Sequence, residues 1–137
     1  MKIVFFGNPN VSVSILSSLL KTDHDIVGVV SNSPKISGRG LKKKYTPVGL
    51  YAINKKLKLL CLSSFKDEKL YEALKKLNPD LFIVVAFKII PQKFLNIPKF
   101  AAINLHASLL PSYRGASPIQ YALLNGDRKL VSHFRHG

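Results

Sequence analysis

The sequence contains few acidic residues. It has 7 aspartates and glutamates against 21 lysines and arginines, which gives a formal net charge of +14. A charge of this size attracts polyanions such as nucleic acid or an anionic membrane, although it could also serve only to keep the protein soluble. Because the basic residues are clustered along the chain, the composition favours nucleic acid as the partner.

Cysteine is nearly absent as well. Cys61 is the single cysteine, so an internal disulfide is excluded. It follows the apolar pair Leu59-Leu60, and we expect it in the core of a strand. A catalytic thiol is the less favoured interpretation, because no histidine lies near Cys61 in the sequence.

Long hydrophobic runs are also missing. The longest, Leu81 to Phe87, is far too short to span a bilayer. Lys2 is followed only by Ile3 to Phe6 before Gly7-Asn8-Pro9 interrupts the run, which is too little for a signal peptide. We therefore expect a cytoplasmic protein with no membrane partner. The turn at Gly7-Asn8-Pro9 is not a GxGxxG motif, so it is interpreted as a tight strand-to-helix turn and gives little support to a dinucleotide site.

The chain has 137 residues, of which 47% are hydrophobic, and these values suit a single domain with a substantial core. Hydrophobic patterning predicts alternating strands and helices. The predicted strands are 2–6, 25–31, 57–62, 81–86 and 101–105, and the predicted helices are 11–21, 47–55, 65–77, 91–95 and 116–124. Residues 32–46 are predicted to form a loop rich in Ser, Gly and Lys. The alternation predicts an α/β fold with a doubly wound, mostly parallel, Rossmann-like sheet.

Polar side chains follow the fifth predicted strand. Asn104 and His106 are two residues apart, and this spacing places both side chains on the same face of a strand. In doubly wound sheets, ligands bind beyond the carboxyl ends of the strands. An Asn amide can donate hydrogen bonds to an oxyanion, and a neutral His can move a proton from an attacking amine to a leaving group. The pair suits acyl transfer, although a lone His at a strand end is more often structural.

The surrounding sequence is longer and more specific. Residues 103–125 read INLHASLLPSYRGASPIQYALLN, and Gly126-Asp127 follows. The N-L-H-A-S-L-L-P, Y-R-G-A and P-I-Q parts of this segment resemble the signature of the methionyl-tRNA formyltransferase family. Further matches occur in the family's order, namely the turn with Gly7 and Pro9, the Gly38-Arg39-Gly40 loop, and Val84 to Phe87 before Ile90-Pro91. The resemblance extends from Met1 to about Lys129.

This resemblance implies a formyltransferase-type sheet and a specific reaction. The formyl group would pass from 10-formyltetrahydrofolate to the α-amine of methionyl initiator tRNA, without a metal. Asn104 would stabilise the oxyanion and His106 would shuttle the proton. The residues implied to lie against the folate are Ser108, Leu109, Leu110 and Pro111, and those implied to offer backbone contacts and apolar surface to the pterin are Phe87, Lys88, Ile89 and Ile90. For Leu109, Leu110 and Ile89, packing in the core is an equally good interpretation.

A basic segment offers a surface for the tRNA. Eight basic residues lie between Lys35 and Lys58, and no acidic residue occurs between Asp25 and Asp67. A basic loop of this kind can bind phosphates. The resemblance implies that Arg39 probes the acceptor stem, and Lys42, Lys43 and Lys44 are candidate RNA-binding residues beside it. Arg114, in the Y-R-G turn, is interpreted as structural or as an aid to RNA or substrate approach.

The resemblance also implies a departure from the family. The family's catalytic machinery includes an Asp well beyond the N-x-H, which residues 1–137 do not reach; Asp127 is not that residue. Residues 130–137 do not follow the family's T-G-V strand. We therefore expect residues 1–137 to be an N-terminal formyltransferase domain, incomplete at the C-terminus through a frameshift, premature stop or split gene, and lacking a C-terminal tRNA-binding domain. Impaired or lost activity is expected, as is poor solubility or self-association through an exposed sheet edge unless another chain completes the fold.

Two other functions stay open. One is formyl transfer to a purine precursor or an amino sugar, because enzymes acting on those substrates share the N-x-H and S-L-L-P motifs. The stretch from Arg114 to Ile119 argues against the purine enzyme, and the basic loop argues against the sugar enzyme. The other is a non-catalytic remnant that at most binds folate or RNA.

Overall fold

A computed structural model describes residues 1–106, 119–124 and 131–134, with residue 119 and residues 131–134 described by their backbone alone. In this part of the chain the strands are β1 (Lys2–Gly7), β2 (Asp25–Asn32), β3 (Lys35–Ser37), β4 (Lys42–Lys44), β5 (Leu59–Leu62), β6 (Leu81–Val85), β7 (Ala101–His106), β8 (Ile119–Leu123) and β9 (Val131–Phe134). The helices are α1 (Asn10–Leu20), α2 (Pro47–Asn54), α3 (Glu68–Lys76) and α4 (Gln92–Leu95). Among these residues, no helix is long and apolar enough to cross a membrane.

Seven strands form one sheet in the order β5-β2-β1-β6-β7-β8-β9. The first five in this order pair in parallel, as the sequence predicts. The strands β7, β8 and β9 continue the sheet with antiparallel pairing. The chain runs outward from β1 through β2 to β5 and then returns to β6 on the other side of β1. This reversal makes a topological switch point between β1 and β6.

Alternate residues of the central strands point to opposite faces of the sheet and belong to two separate cores. Helices cover each of these apolar faces. Ile3 and Phe5 of β1 pack with residues of α1 and α2, such as Leu16 and Val48. On the opposite face, Val4 and Phe6 pack with residues of α3 and α4, including Leu74 and Phe94. The strand β6 is apolar on both faces in the same way, with all but its first residue buried. The doubly wound α/β fold is therefore confirmed.

Local signals explain the helix starts. Thr46 caps α2 by accepting a hydrogen bond from the Gly49 backbone amide at 2.9 Å, and Pro47 occupies the first turn, where its missing N–H costs nothing. Asp67 caps α3 in the same way, through the backbone amide of Lys69 at 2.9 Å. The predicted helices 11–21, 47–55, 65–77 and 91–95 are thus confirmed, with small shifts at their ends.

The predicted loop at residues 32–46 is wrong in its middle part. The structure forms a two-stranded antiparallel hairpin there, from β3 and β4, which pairs Lys35 with Lys44. Positive φ angles at Gly38, Gly40 and Leu41 turn the chain between the two strands. The hairpin is exposed on all six strand residues, so it has no apolar alternation by which sequence patterning could detect it.

The predicted helix at residues 116–124 is also wrong for its described part. Residues 119–123 form β8, which pairs antiparallel with β7 and opposes Gln120 to His106. Over five residues, the apolar positions fit both the helical and the strand period, and pairing gives the outer edge of β7 a hydrogen-bonded neighbour. Residues 131–134, for which the sequence predicts no strand, form β9.

Cys61 does not lie in the core, contrary to the prediction. Cys61 is exposed, whereas the next residue, Leu62, points to the other face of β5 and is buried. In the described part of the chain, β5 is the end strand of the sheet. Partial burial of the thiol nevertheless raises the pKa of Cys61, and the nearby positive charge of Lys43 opposes that increase.

Candidate active site

A cleft of about 290 Å³ opens at the carboxyl ends of β6 and β7. Its walls come from the start of α1, the end of β6 with the turn that follows, and the end of β7. The lining residues are Val11, Val85, Ala86, Phe87, Asn104, Leu105 and His106. The cleft lies beside the switch point between β1 and β6, where doubly wound sheets bind their ligands.

Asn104 and His106 meet in this cleft. The Asn104 side-chain nitrogen Nδ2 lies 3.2 Å from Nε2 of His106. Asn104 is half-buried and His106 is exposed, so the amide is held by the strand end while the imidazole can reach a ligand. The predicted placement of both side chains on one strand face is confirmed. A hydrogen-bond donor and a proton carrier therefore face the same space.

The turn after β6 forms another part of the cleft wall. Ala86 has a φ of 51°, a left-handed conformation that non-glycine residues rarely adopt. It directs the chain so that the half-buried Phe87 ring packs edge-on against Phe6, with their centroids 5.6 Å apart. Phe87 is the one member of the segment 87–90 that lines the cleft. The turn thus supplies an aromatic surface next to the Asn104–His106 pair.

The remaining predicted pterin contacts differ in their exposure. Lys88 is exposed, and the side chain of Ile89 is 94% exposed, so both are open to a ligand or partner. Ile90 is 5% exposed and packs in the core, so a ligand could contact only its backbone. The predicted folate contacts Ser108, Leu109, Leu110 and Pro111 lie outside the described residues, as does Arg114.

A polar network that the sequence does not reveal lies on the other side of the switch point. The side-chain oxygen of Asn8 accepts hydrogen bonds from the Ser31 hydroxyl at 2.9 Å and the Asn32 backbone amide at 2.8 Å. Ser31 also hydrogen-bonds the Thr46 hydroxyl. Because Asn32 and Thr46 flank the hairpin segment, the network fixes both ends of that segment to the turn after β1.

The candidate RNA-binding residues lie on the hairpin, which follows the carboxyl end of β2, whereas the cleft lies at the carboxyl ends of β6 and β7. The exposed Arg39 occupies the turn between β3 and β4. Lys42 and Lys44 lie on one face of the hairpin, because Lys42 pairs with Ser37 and Lys44 with Lys35. Lys43 lies on the other face, opposite Ile36 and close enough to Cys61 to influence its thiol. The three lysines therefore lie on two opposite faces of the hairpin, and Arg39 lies in the turn between its strands.

Ser12 is a further residue of interest that the sequence does not single out, and it is fully buried. Its hydroxyl donates a hydrogen bond of 2.6 Å to the backbone carbonyl of Val85, at the end of β6. The signal was present in the sequence, because Ser12 precedes Leu16 by four residues and so falls on the apolar face of α1.

Comparison with known proteins finds relatives over most of the chain. The family model described as formyl transferase matches residues 1–133. Over 130 residues, the chain is 48% identical to the methionyl-tRNA formyltransferase of Flavobacterium psychrophilum. This alignment covers 94% of this chain and 41% of that protein. The corresponding protein of Bacteroides fragilis is 44% identical, with 93% of this chain and 39% of that protein covered. The chain thus spans about two fifths of the length of these relatives.

Solved structures show the same fold at much lower identity. Phosphoribosylglycinamide formyltransferase from Coxiella burnetii superposes with a TM-score of 0.57 at 16% identity, covering 98% of this chain and 73% of that one. The corresponding protein from Anaplasma phagocytophilum gives a TM-score of 0.56 at 21% identity, with 90% and 63% covered. Because the formyl transferase family model matches nearly the whole length of the sequence, this chain belongs to the formyl transferase family.

Proposed function

We propose that this chain contains the folate-binding and catalytic part of an enzyme that transfers a formyl group from 10-formyltetrahydrofolate to the α-amine of methionyl initiator tRNA. The observation that carries the proposal is the 3.2 Å contact between Asn104 Nδ2 and His106 Nε2 in the cleft beside the switch point. Residues 1–137 then belong to the N-terminal formyltransferase domain, and the enzyme acts in the cytoplasm during translation initiation.

The two side chains suit the two charges that develop during acyl transfer. When the amine nitrogen bonds to the formyl carbon, the carbonyl oxygen becomes an oxyanion, and the Asn104 amide donates a hydrogen bond to it. Nε2 of the neutral His106 accepts the proton that the amine releases. The proton then moves to N10 of the folate as the bond between N10 and the formyl carbon breaks. The formyl-amine and tetrahydrofolate leave, and Asn104 and His106 are returned to their starting states.

The Phe87 wall of the cleft suits the donor. A pterin is a flat, largely apolar ring system with hydrogen-bonding edges, and binding sites for such ligands combine aromatic surface with a few polar groups. Phe87 offers an aromatic ring, and the exposed residue Ala86 offers backbone polar groups at the same wall. The segment 108–111, which follows β7, is proposed as the second contact with the folate.

The hairpin favours an RNA acceptor over a small one. It presents Arg39 and the three exposed lysines of β4 after the carboxyl end of β2, and the cleft opens at the carboxyl ends of β6 and β7 in the same parallel part of the sheet. A small amine such as an amino sugar or phosphoribosylglycinamide needs no extended basic surface, whereas the acceptor stem of a tRNA presents closely spaced phosphates. The relatives that are 42–48% identical are named methionyl-tRNA formyltransferase, which supports the same acceptor.

A formyl-transfer assay with competing acceptors tests the proposal. The purified chain is incubated with 10-formyltetrahydrofolate labelled in its formyl group, and with methionyl initiator tRNA, phosphoribosylglycinamide or a nucleotide-linked amino sugar. We expect label in acid-precipitable tRNA and none in the small acceptors. Label in a small acceptor alone would contradict the tRNA assignment, and a lack of transfer to all three would contradict catalysis by this chain.

A further inference from the structure

Ser12 connects the beginning of α1 to the end of β6. A helical serine ordinarily returns its hydroxyl to a carbonyl of its own helix, as Ser18 does with Ser14 at 3.1 Å. Ser12 instead donates to the Val85 carbonyl, 73 positions along the sequence, at 2.6 Å. Both residues are buried, and water is therefore a poor substitute for either partner.

The backbone is shaped to permit this contact. Gly7 pairs with Val85 in the ladder between β1 and β6. A Cβ atom added at Gly7 would lie 2.7 Å from Cβ and 2.9 Å from Oγ of Ser12, which is closer than real side chains approach. The absence of a side chain at Gly7 therefore lets Ser12 pass beside β1 and reach β6. Glycine is required here for close approach rather than for its φ angle.

Val85 is the last residue of β6 and stands at a change in backbone direction. The ladder between β6 and β7 ends one residue earlier, at Val84 and Asn104. The next residue, Ala86, takes its left-handed φ of 51°. Such a conformation persists only where surrounding contacts determine it. The Ser12 hydroxyl holds the carbonyl of the peptide unit that joins Val85 to Ala86, so its hydrogen bond acts directly on that conformation.

We infer that Ser12 is a positioning residue of the cleft. Its hydroxyl fixes the peptide unit between Val85 and Ala86, and this unit sets the turn that directs the Phe87 ring toward the Asn104–His106 pair. Ser12 does not line the cleft itself. The geometric part of this inference is independent of the reaction, and its consequence for ligand binding rests on the proposed function.

The test compares two serine variants of the same helix. Ser12→Ala removes the hydrogen bond to Val85, and Ser18→Ala removes a similar bond that stays within α1. The backbone conformation of Ala86 is followed in labelled protein by NMR, through its three-bond coupling between amide and α protons and its carbon chemical shifts. We expect these signals to leave their left-handed values in Ser12→Ala and to stay unchanged in Ser18→Ala.

An Ala86 that keeps its wild-type coupling and shifts in folded Ser12→Ala would overturn the inference. If Ser12→Ala fails to fold, the same spectra are recorded on Ser12→Cys, whose thiol is of similar size and a weaker donor. Shifted Ala86 signals in that variant support the inference, and unshifted signals overturn it. A second readout is the affinity for folinic acid, which we expect to fall at least several-fold in Ser12→Ala only. An altered Ala86 with unchanged affinity would refute the link to the proposed function and leave the geometric part standing.

Discussion

Nδ2 of Asn104 lies 3.2 Å from Nε2 of His106 at the end of β7. Because an amide nitrogen can only donate, a hydrogen bond between these atoms places the lone pair of the neutral imidazole on Nε2 and its proton on Nδ1. Nε2 has a single lone pair, so its contact with Asn104 opens when Nε2 accepts a proton from an incoming amine. The Asn104 amide is then free to donate to the oxyanion that forms.

Removing either side chain should reduce formyl transfer without unfolding the chain, since neither is fully buried. We expect a loss of about 10²–10³-fold in kcat for Asn104→Ala and about 10²–10⁴-fold for His106→Ala. The double variant should lose less than the product of the two, because the residues act as a unit. His24→Ala, which alters an exposed histidine beside the N-terminus, is the control and should retain full activity. Equal losses in the control and in His106→Ala would contradict the assignment.

We expect the lysines on the two faces of the hairpin to contribute differently to RNA binding. Lys42 and Lys44 point to the same side, and Lys43 points to the other, toward β5. If the open face contacts the acceptor stem, Lys42→Ala and Lys44→Ala should each weaken tRNA binding and lower the slope of log affinity against log salt concentration by about 1. Lys43→Ala removes the same charge from the same strand and is the matched control.

Filter binding of methionyl initiator tRNA over a range of salt concentrations measures these slopes. We expect Lys43→Ala to keep nearly the wild-type slope. Equal changes for all three lysines would show that the hairpin acts only through its total charge, and the facial assignment would then be wrong.

The sequence predicts the parts of the fold that are governed by burial. The segments 3–6 and 81–86 are apolar on both faces, and this pattern is typical of a strand covered by helices on each side. The spacing of Asn104 and His106 then places them together at the strand end, because side chains alternate along a strand. These predictions needed no knowledge of long-range contacts, and the structure confirms them.

The predictions from the sequence are wrong where contacts between residues distant in the sequence decide the local structure. The spacing of the apolar residues in 119–123 fits both a helix and a strand, and pairing with β7 makes this segment a strand. The hairpin of β3 and β4 has no buried face to leave a pattern. Cys61 follows an apolar run but lies on the edge strand, which only the strand order reveals. Ser12 reaches Val85 across the switch point, and no local pattern encodes that contact.

The core around the switch point should be sensitive to the truncation of a buried side chain. Phe82 is fully buried in β6, and its ring centroid lies 4.8 Å from that of Phe6. Phe82→Ala should lower the free energy of unfolding by about 3–5 kcal/mol, through lost burial and the cavity left behind. Phe100→Ala deletes the same side chain where it is 58% exposed, and we expect a change within about 0.5 kcal/mol. Urea denaturation followed by circular dichroism measures both; similar losses would contradict the packing described for β6.

Cys61 offers a chemical test of where the hairpin lies. Its pKa is raised by partial burial and lowered by Lys43, with burial the larger effect. At mildly alkaline pH, iodoacetamide should therefore alkylate it more slowly than free cysteine, because less of the thiolate is present. Lys43→Ala should raise the pKa further and slow the reaction again, whereas Lys42→Ala, on the opposite face, should not.

The same shift has a consequence for stability. A thiol whose pKa is higher in the folded state binds its proton more tightly there than in the unfolded chain. Its contribution to stability is therefore complete below the unfolded pKa and is lost as the pH rises through the folded pKa.

For the alkylation experiment, a rate that is faster than that of free cysteine, or one that rises in Lys43→Ala, would contradict the placement of Lys43 near Cys61.

The central claim is that the cleft between the turn after β6 and the end of β7 binds the formyl donor, and a titration with folinic acid tests it most directly. Folinic acid is a stable formylated folate, so binding can be followed by NMR on labelled protein whether or not transfer occurs. We expect saturable shift changes confined to the amides of residues 85–88 and 104–106 and the segment that follows β7, with no comparable changes in α3. Saturable changes centred elsewhere, or no changes at millimolar ligand, would contradict it.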